Sequence, residues 1–395
     1  MSAPSLNPTS DIAAQWSLAE GVAYLNHGSF GPAPRPVLEA QLRWINELQK
    51  NPMEFYVRRL DELLDQAADR LARFLGCRGK DLIFVPNATV GMNIVADNFS
   101  LEPGDEVLLN DHEYGAVQRI WRRRCDSTQS RVVIAKVPVS PTSPDQIVDA
   151  IFDRVTGRTR LIVVSHVTSP TATVFPVETI CARAQQRKIP VAIDGPHAIA
   201  MQPFSLSEID SDYYCASCHK WLSAPFGSGF LYVAGLHKSE LNPPILSWGR
   251  SLGGRPATWK DEFHWFGTYQ PAAFLAIPAA IEFLEQFGLT RFRHETHALA
   301  RQARERITKE LDGEPLTPDD AAFYGSMVTM RLPWIKERSK PGVPHPIQQA
   351  LAIEHRVEAP IVEWNDAMHV RVSCHLYNTE QHVDRLIAAL KLIRR

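Results

Sequence analysis

Three short segments of this 395-residue sequence carry side chains that could do chemistry together. In Ala216-Ser217-Cys218-His219-Lys220-Trp221 a lysine follows a strand-like run, among small and hydroxyl-bearing residues that let a backbone approach a phosphate. An amine so placed can attack an aldehyde and hold it as an imine. Upstream by 26 residues, Val191-Ala192-Ile193-Asp194-Gly195-Pro196-His197 sets a carboxylate at the end of another apolar run, with a histidine three residues on. In Asn87-Ala88-Thr89-Val90-Gly91 the pattern reads strand, turn and helix start. Such a turn points backbone N–H groups and the Thr89 hydroxyl at an anion. Each segment alone has an ordinary explanation: a surface lysine, a turn aspartate, an N-cap threonine.

Taken together, the three provide what pyridoxal 5′-phosphate requires: an amine for its aldehyde, an acid for its pyridine nitrogen, and a cradle for its phosphate. The spacing between Asp194 and Lys220 leaves room for one connection and one strand, so neighbouring strand ends could face a single ring. Arg371 adds a guanidinium fork suited to an α-carboxylate, on a segment where Val370 and Val372 would face a core.

The elements that must position these groups alternate βα. β-Branched runs at 82–85, 106–109, 132–137, 161–165, 191–193, 213–216 and 230–233 read as strands, and 146–155 and 177–186 as amphipathic helices between them. That is an α/β fold with a largely parallel sheet. Residues 242–271, rich in Gly, Pro and Trp without period, read as a long functional loop. Helices at 277–287, 290–311 and 380–393 with strands at 327–332 and 368–373 form a smaller α+β lobe. The expected division is an N-terminal arm at 1–25, a large domain at 26–270 and a small domain at 271–395.

Composition is that of a globular chain, with 22% charged residues and a formal net charge of −2, and calls for neither nucleic acid nor membrane. Arg122, Arg123 and Arg124 form a basic run of the kind usual on a solvated helix. The first 14 residues lack the pattern of a leader peptide, and six scattered cysteines fit reduced thiols, so a cytoplasmic location is expected.

Several stretches resemble the class V aminotransferase family of fold-type I pyridoxal phosphate enzymes, in its isopenicillin N epimerase-like branch. They are Tyr24-Leu25-Asn26-His27-Gly28-Ser29-Phe30-Gly31-Pro32, Asp194-Gly195-Pro196-His197-Ala198, Ser217-Cys218-His219-Lys220-Trp221 and Arg371-Val372-Ser373-Cys374-His375-Leu376-Tyr377-Asn378-Thr379. The resemblance implies a large domain with a mainly parallel seven-stranded sheet and a smaller α+β C-terminal domain. It implies that Lys220 carries the cofactor as a Schiff base, that Asp194 pairs with the pyridine nitrogen and that His197 approaches the phenolic oxygen. Tyr114 would stack on the ring, Ala88, Thr89, Ser217 and His219 would hold the phosphate, and either Thr168 or Ser169 would approach the ring oxygen. Gly267 and Thr268 would reach the phosphate of a neighbouring subunit, which implies a homodimer. Arg371 would bind the substrate carboxylate, with Asn26 and His27 at the substrate mouth.

The expected activity is epimerisation or racemisation at the α-carbon of an amino acid or amino-acid-derived substrate. The alternatives are C–S lysis of a cysteine conjugate and transamination. For the second-face acid that epimerisation needs, Tyr114, His27 and His112 are candidates. Pro196 departs from the branch's usual alanine and removes a backbone donor beside Asp194. Residues 327–370 hold no cysteine, where desulfurases of the family keep their nucleophile. Cys215-Ala216-Ser217-Cys218-His219 matches the c-type haem pattern, but the lysine motif explains the same residues, and no metal is expected.

Overall fold

In the computed structural model, residues 10–249, 258–340 and 342–394 are described. The central sheet has seven strands: β1 (Leu82–Val85), β2 (Glu106–Asn110), β3 (Arg131–Ala135), β4 (Thr159–Ser165), β5 (Val191–Asp194), β6 (Tyr213–Ser217) and β7 (Gly229–Val233). Their order is β1-β7-β6-β5-β4-β2-β3. Only β7 runs against the others. Parallel strands need long crossovers, whereas the antiparallel β6–β7 pair is joined by the loop 218–228 that carries Lys220.

Side-chain alternation divides the sheet between two cores. Phe84, Leu108, Ile162, Val164, Ile193 and Ala216 pack on one face with α1 (Arg35–Lys50), α2 (Leu60–Leu75), α5 (Pro144–Phe152) and α6 (Val177–Gln185). Ile83, Val107, Leu109, Val163, Ala192 and Cys215 pack on the other with α3 (Ala88–Asn98) and α4 (Gly115–Thr128). Both faces are covered, which is why the strands read as near-continuous apolar runs.

The smaller lobe is an antiparallel sheet of β8 (Glu314–Pro315), β9 (Met327–Arg331), β10 (Ile361–Trp364) and β11 (Ala367–Ser373), ordered β10-β11-β9-β8. Val370 and Val372 of β11 join a core with α8 (Leu289–Leu311), α9 (Pro346–Ile353) and α10 (Glu380–Arg394). α7 (Ile277–Phe287) packs instead in the large-lobe core, through Ile277, Ile281 and Leu284. Ala23 and Leu25 are buried in the small-lobe core, and Ala23–Tyr24 pairs with Val357–Glu358.

Two expected boundaries shift for local reasons. The strand expected at 132–137 ends at Ala135, because the Val137 N–H donates to the Asp111 side chain and leaves the ladder. The helix expected at 146–155 starts at Pro144, where a missing N–H costs nothing, and ends at Phe152. The expected loop at 242–271 includes one helical turn, Asp261–His264, while its residues 250–257 lie outside the described residues, as do residues 1–9 of the expected arm. The basic run sits on α4, with Arg123 bonded to Asn93 and Asp97 and Arg124 to the Phe99 carbonyl. Among the described residues, no single helix is long and apolar enough to cross a membrane.

Candidate active site

Because β4, β5 and β6 are parallel, their carboxyl ends meet at one edge of the sheet. Asp194 closes β5 in register with Ser165 of β4 and Cys215 of β6, and Ser217 closes β6 opposite Gly229. A cavity of about 280 Å³ opens there. Asp194, His197, Ser217, His219 and Lys220 line it, and so do Ala88, Thr89, Tyr114, Ser169 and Arg371. A roomier cleft, beside Phe99, Arg160 and Arg187, lies by the amino ends of β4 and β5 and holds none of these groups.

Lys220 is held close to a defined proton donor. Its Nζ lies 3.0 Å from His197 Nε2, while the Trp221 indole N–H donates to His197 Nδ1 over 3.3 Å. An indole nitrogen only donates, so a neutral His197 carries its proton on Nε2, pointing into the cavity. Burial drives the His197 pKa well below the usual histidine range, with the positive charges of Lys220 and Arg371 adding to it. Burial also pushes Lys220 down, helped by Arg371 and opposed by Asp194. The same burial raises Asp194 against the pull of Lys220. An amine depressed in this way is a competent nucleophile near neutral pH.

The first turn of α3 supplies the opposite wall. Asn87 caps it by accepting from Val90 N–H at 3.0 Å, and the Ala88 N–H donates to Ser217 Oγ at 3.0 Å. Gly229 lets β7 come this close, since a Cβ there would stand 2.6 Å from the Ala216 carbonyl oxygen and 3.0 Å from Asn87 Cα. Beside this turn, His219 Nδ1 is buried without a partner among the described residues. Helix start, hydroxyls and an unspent ring nitrogen fit an anionic group.

Across the cavity stands a buried cation without an anion. Arg371 alternates with Val370 and Val372 on β11, so it faces the cavity while they face the small core. Its Nη1 donates to the Ser169 carbonyl at 2.7 Å and to Ser169 Oγ at 3.1 Å, and its Nη2 donates to Ser29 Oγ at 2.6 Å. Nε is buried and unpartnered, and no carboxylate pairs with the guanidinium among the described residues. Burial lowers its pKa to about 10, opposed by the nearby Tyr114 hydroxyl. An uncompensated buried charge is costly, and the free Nε edge has the geometry of a carboxylate fork.

Other expected residues lie elsewhere. His27 does not reach the mouth: it is fully buried beneath the Lys220 loop, its Nε2 2.9 Å from the Lys220 carbonyl and its Nδ1 2.9 Å from the Tyr377 hydroxyl. Its ring stacks on His375 at 3.8 Å. Asn26 is bridged to Ser373 and does not line the cavity. Thr168 is turned away, its hydroxyl bonded to Thr171 Oγ1 at 2.6 Å, whereas Ser169 lines the cavity. His112 is buried against Thr171 and the Val137 carbonyl. Gly267 and Thr268 stand outside the cavity of their own chain. At Pro196 the turn closes without the missing donor, through Gly195 N–H to the Cys215 carbonyl and Ala198 N–H to the Gly195 carbonyl. The thiols of Cys215 and Cys218 are buried, Cys215 against the Ile193 carbonyl, which leaves no room for thioether links to a haem.

Sequence reading passed over Ser29 and Phe30, which line the cavity from the opening motif, and Glu113, buried beneath its floor. Ser29 offered only its place in that motif as a signal. Glu113 offered its place beside Tyr114.

Residues 23–386 match the family model described as aminotransferase class-V. The chain belongs to the class V aminotransferase family. An isopenicillin N epimerase of Amycolatopsis lactamdurans is 36% identical over 95% of this chain and 96% of its own. Another of the same description, from Streptomyces clavuligerus, is 33% identical over 95% and 98%. A solved structure described as a cystine C–S lyase in complex with its product cysteine persulfide superposes with a TM-score of 0.80 at 22% identity, over 94% of this chain and 97% of that one, and shares the fold. As a class V aminotransferase family member the chain is a pyridoxal phosphate enzyme, and the cavity fits that cofactor: a depressed amine, an acid at the floor, and unspent donors by a helix start.

Proposed function

We propose that this enzyme inverts the α-carbon of an amino-acid-derived substrate of the isopenicillin N type. The observation that carries the proposal is the pairing of a buried, depressed Lys220 amine with an unsatisfied Arg371 fork across one small cavity. In this reading Asp194, His197 and Lys220 hold the reactive part of the cofactor, Ala88, Thr89, Ser217 and His219 its phosphate, and Ser169 stands near its ring oxygen. Lys220 would hold pyridoxal phosphate through its amine, and the bound cofactor would supply an electron sink for the bond broken at the α-carbon.

The chain's own residues do the rest. The free Nε edge of Arg371 grips the substrate carboxylate while Ser29 and Ser169 keep the guanidinium from turning. Lys220, with a pKa moved toward neutrality, takes a proton at Nζ on one side. Inversion needs an acid on the other, and of Tyr114, His27 and His112 it is Tyr114 that lines the cavity. Its hydroxyl is close enough to Arg371 to act on it electrostatically. Gly267 and Thr268, outside their own cavity, support a homodimer in which they serve the partner's site. Six unpaired cysteines support a cytoplasmic location.

The test is incubation with isopenicillin N and simple amino acids in D₂O, following α-deuterium, configuration, keto acid and released thiol. Deuterium with inversion is expected. Pyruvate with a thiol, or keto acid only when an amino acceptor is present, would replace epimerisation by lysis or transamination.

A further inference from the structure

Beneath the floor of the cavity lies a carboxyl group that the proposed chemistry does not use. Glu113 follows β2, is 3% exposed, and is wedged between β2 and β4. Its Oε1 accepts two hydrogen bonds, from Ser165 N–H at 2.7 Å and from Asn110 Nδ2 at 2.6 Å. Its Oε2 accepts from the Ser165 hydroxyl at 2.7 Å. Three donors serve the group, yet none of them carries a charge. No lysine, arginine or histidine forms an ion pair with Glu113 among the described residues. An ionised carboxylate so enclosed would lack the compensation that buried charge requires.

Ser165, which holds both Glu113 oxygens, is the residue in register with Asp194 on β5. Asp194 bears on Glu113 electrostatically, and Cys215 from β6 faces both carboxyls. Lys220 and, beyond it, Arg371 are the cations on the cavity side. Two carboxyls this near do not readily ionise together.

We propose that Glu113 is a positioning residue kept as a neutral acid, so that the negative charge at the cavity floor belongs to Asp194 alone and faces the cofactor ring. The proposal rests on the reading of Asp194 as the partner of that ring. Burial raises the Glu113 pKa to about 8, with Asp194 pushing the same way and the hydrogen bonds from Ser165 and Asn110 opposing. Above that pH a second charge appears beside Asp194, and the cofactor should register it.

The experiment is a pH titration of the purified holoenzyme by infrared and visible absorption, with Glu113→Gln and Ser165→Ala alongside. In the wild type, the carbonyl stretch of a protonated carboxylic acid should vanish around pH 8 while the visible band of the cofactor shifts over the same range. Glu113→Gln should lose that carbonyl stretch and that visible transition yet keep its cofactor. Ser165→Ala, which retains the backbone donor, should keep the stretch at a changed frequency. Absence of a titrating acid band in the wild type, its survival in Glu113→Gln, or an unchanged frequency in Ser165→Ala would overturn the proposal. A colourless protein that still shows the Glu113 band would instead overturn the reading of the cofactor site, while supporting the neutral acid.

Discussion

Replacing Arg371 by lysine keeps a positive charge on β11 and removes the fork. In the wild type three hydrogen bonds to Ser29 and Ser169 hold the guanidinium, leaving Nε and one Nη2 hydrogen for a carboxylate. A lysine ammonium has a single nitrogen, and the Ser169 carbonyl competes for it. The substitution therefore forfeits about one charge-assisted hydrogen bond to substrate, worth ~1.5–3 kcal/mol, or roughly 10- to 150-fold in kcat/KM. The assay is α-proton exchange in D₂O, run on a carboxylate substrate and on its primary amide, with the melting temperature checking the fold. Exchange of the carboxylate should fall by that factor and exchange of the amide by far less. Equal losses on both would refute the assignment, because they would mean that Arg371 supports the cavity and does not recognise the carboxylate.

Lys220→Ala should yield a protein without the visible Schiff-base band that borohydride bleaches; a reducible band at full strength would rule out Lys220. Tyr114→Phe, which removes one oxygen, should slow inversion on the order of 10²-fold while deuterium exchange on the retained face survives; unchanged inversion would exclude the phenol. Gly31→Ala should cost about 1–3 kcal/mol and weaken cofactor retention, measured by melting and by absorbance on dialysis. The reason is that a Cβ at Gly31 would stand 2.5 Å from the His219 carbonyl and 2.8 Å from that of Lys220. A fourth outcome concerns pH. Glu113 has its pKa raised from 4.5 to about 8, so the folded state binds a proton that the unfolded state releases. Its contribution is complete below pH 4.5 and shrinks by about 1.4 kcal/mol per unit as pH rises toward 8. The wild type minus Glu113→Gln difference in unfolding free energy should therefore fall across that window, and a flat difference would contradict a neutral Glu113.

Much of the architecture was legible because strands covered on both faces are unusually apolar. Each strand of the central sheet was found from such a run, with errors at the ends where a side chain, such as Asp111 at Val137, takes over a backbone donor, whereas β8 and β10 of the small lobe were not. Arg371 could be read because Val370 and Val372 alternate around it. His27 could not be placed, since its partners are the Lys220 carbonyl and Tyr377, and nothing local says whether a histidine after a strand faces solvent or lies under a loop. Glu113 escaped for a similar reason. Its enclosure depends on β2 lying next to β4, and its binding partner is 52 residues away.

The opening motif has a consequence for how the enzyme comes to be assembled. Residues Ala23 to Gly31 find their partners at Val357, Ser373 and Tyr377, the last of them 350 residues from His27. Contacts of that separation form late. During synthesis the floor under the lysine loop stays open until β11 and the residues after it leave the ribosome, so a chain released short of β11 would have the central sheet and no floor beneath Lys220.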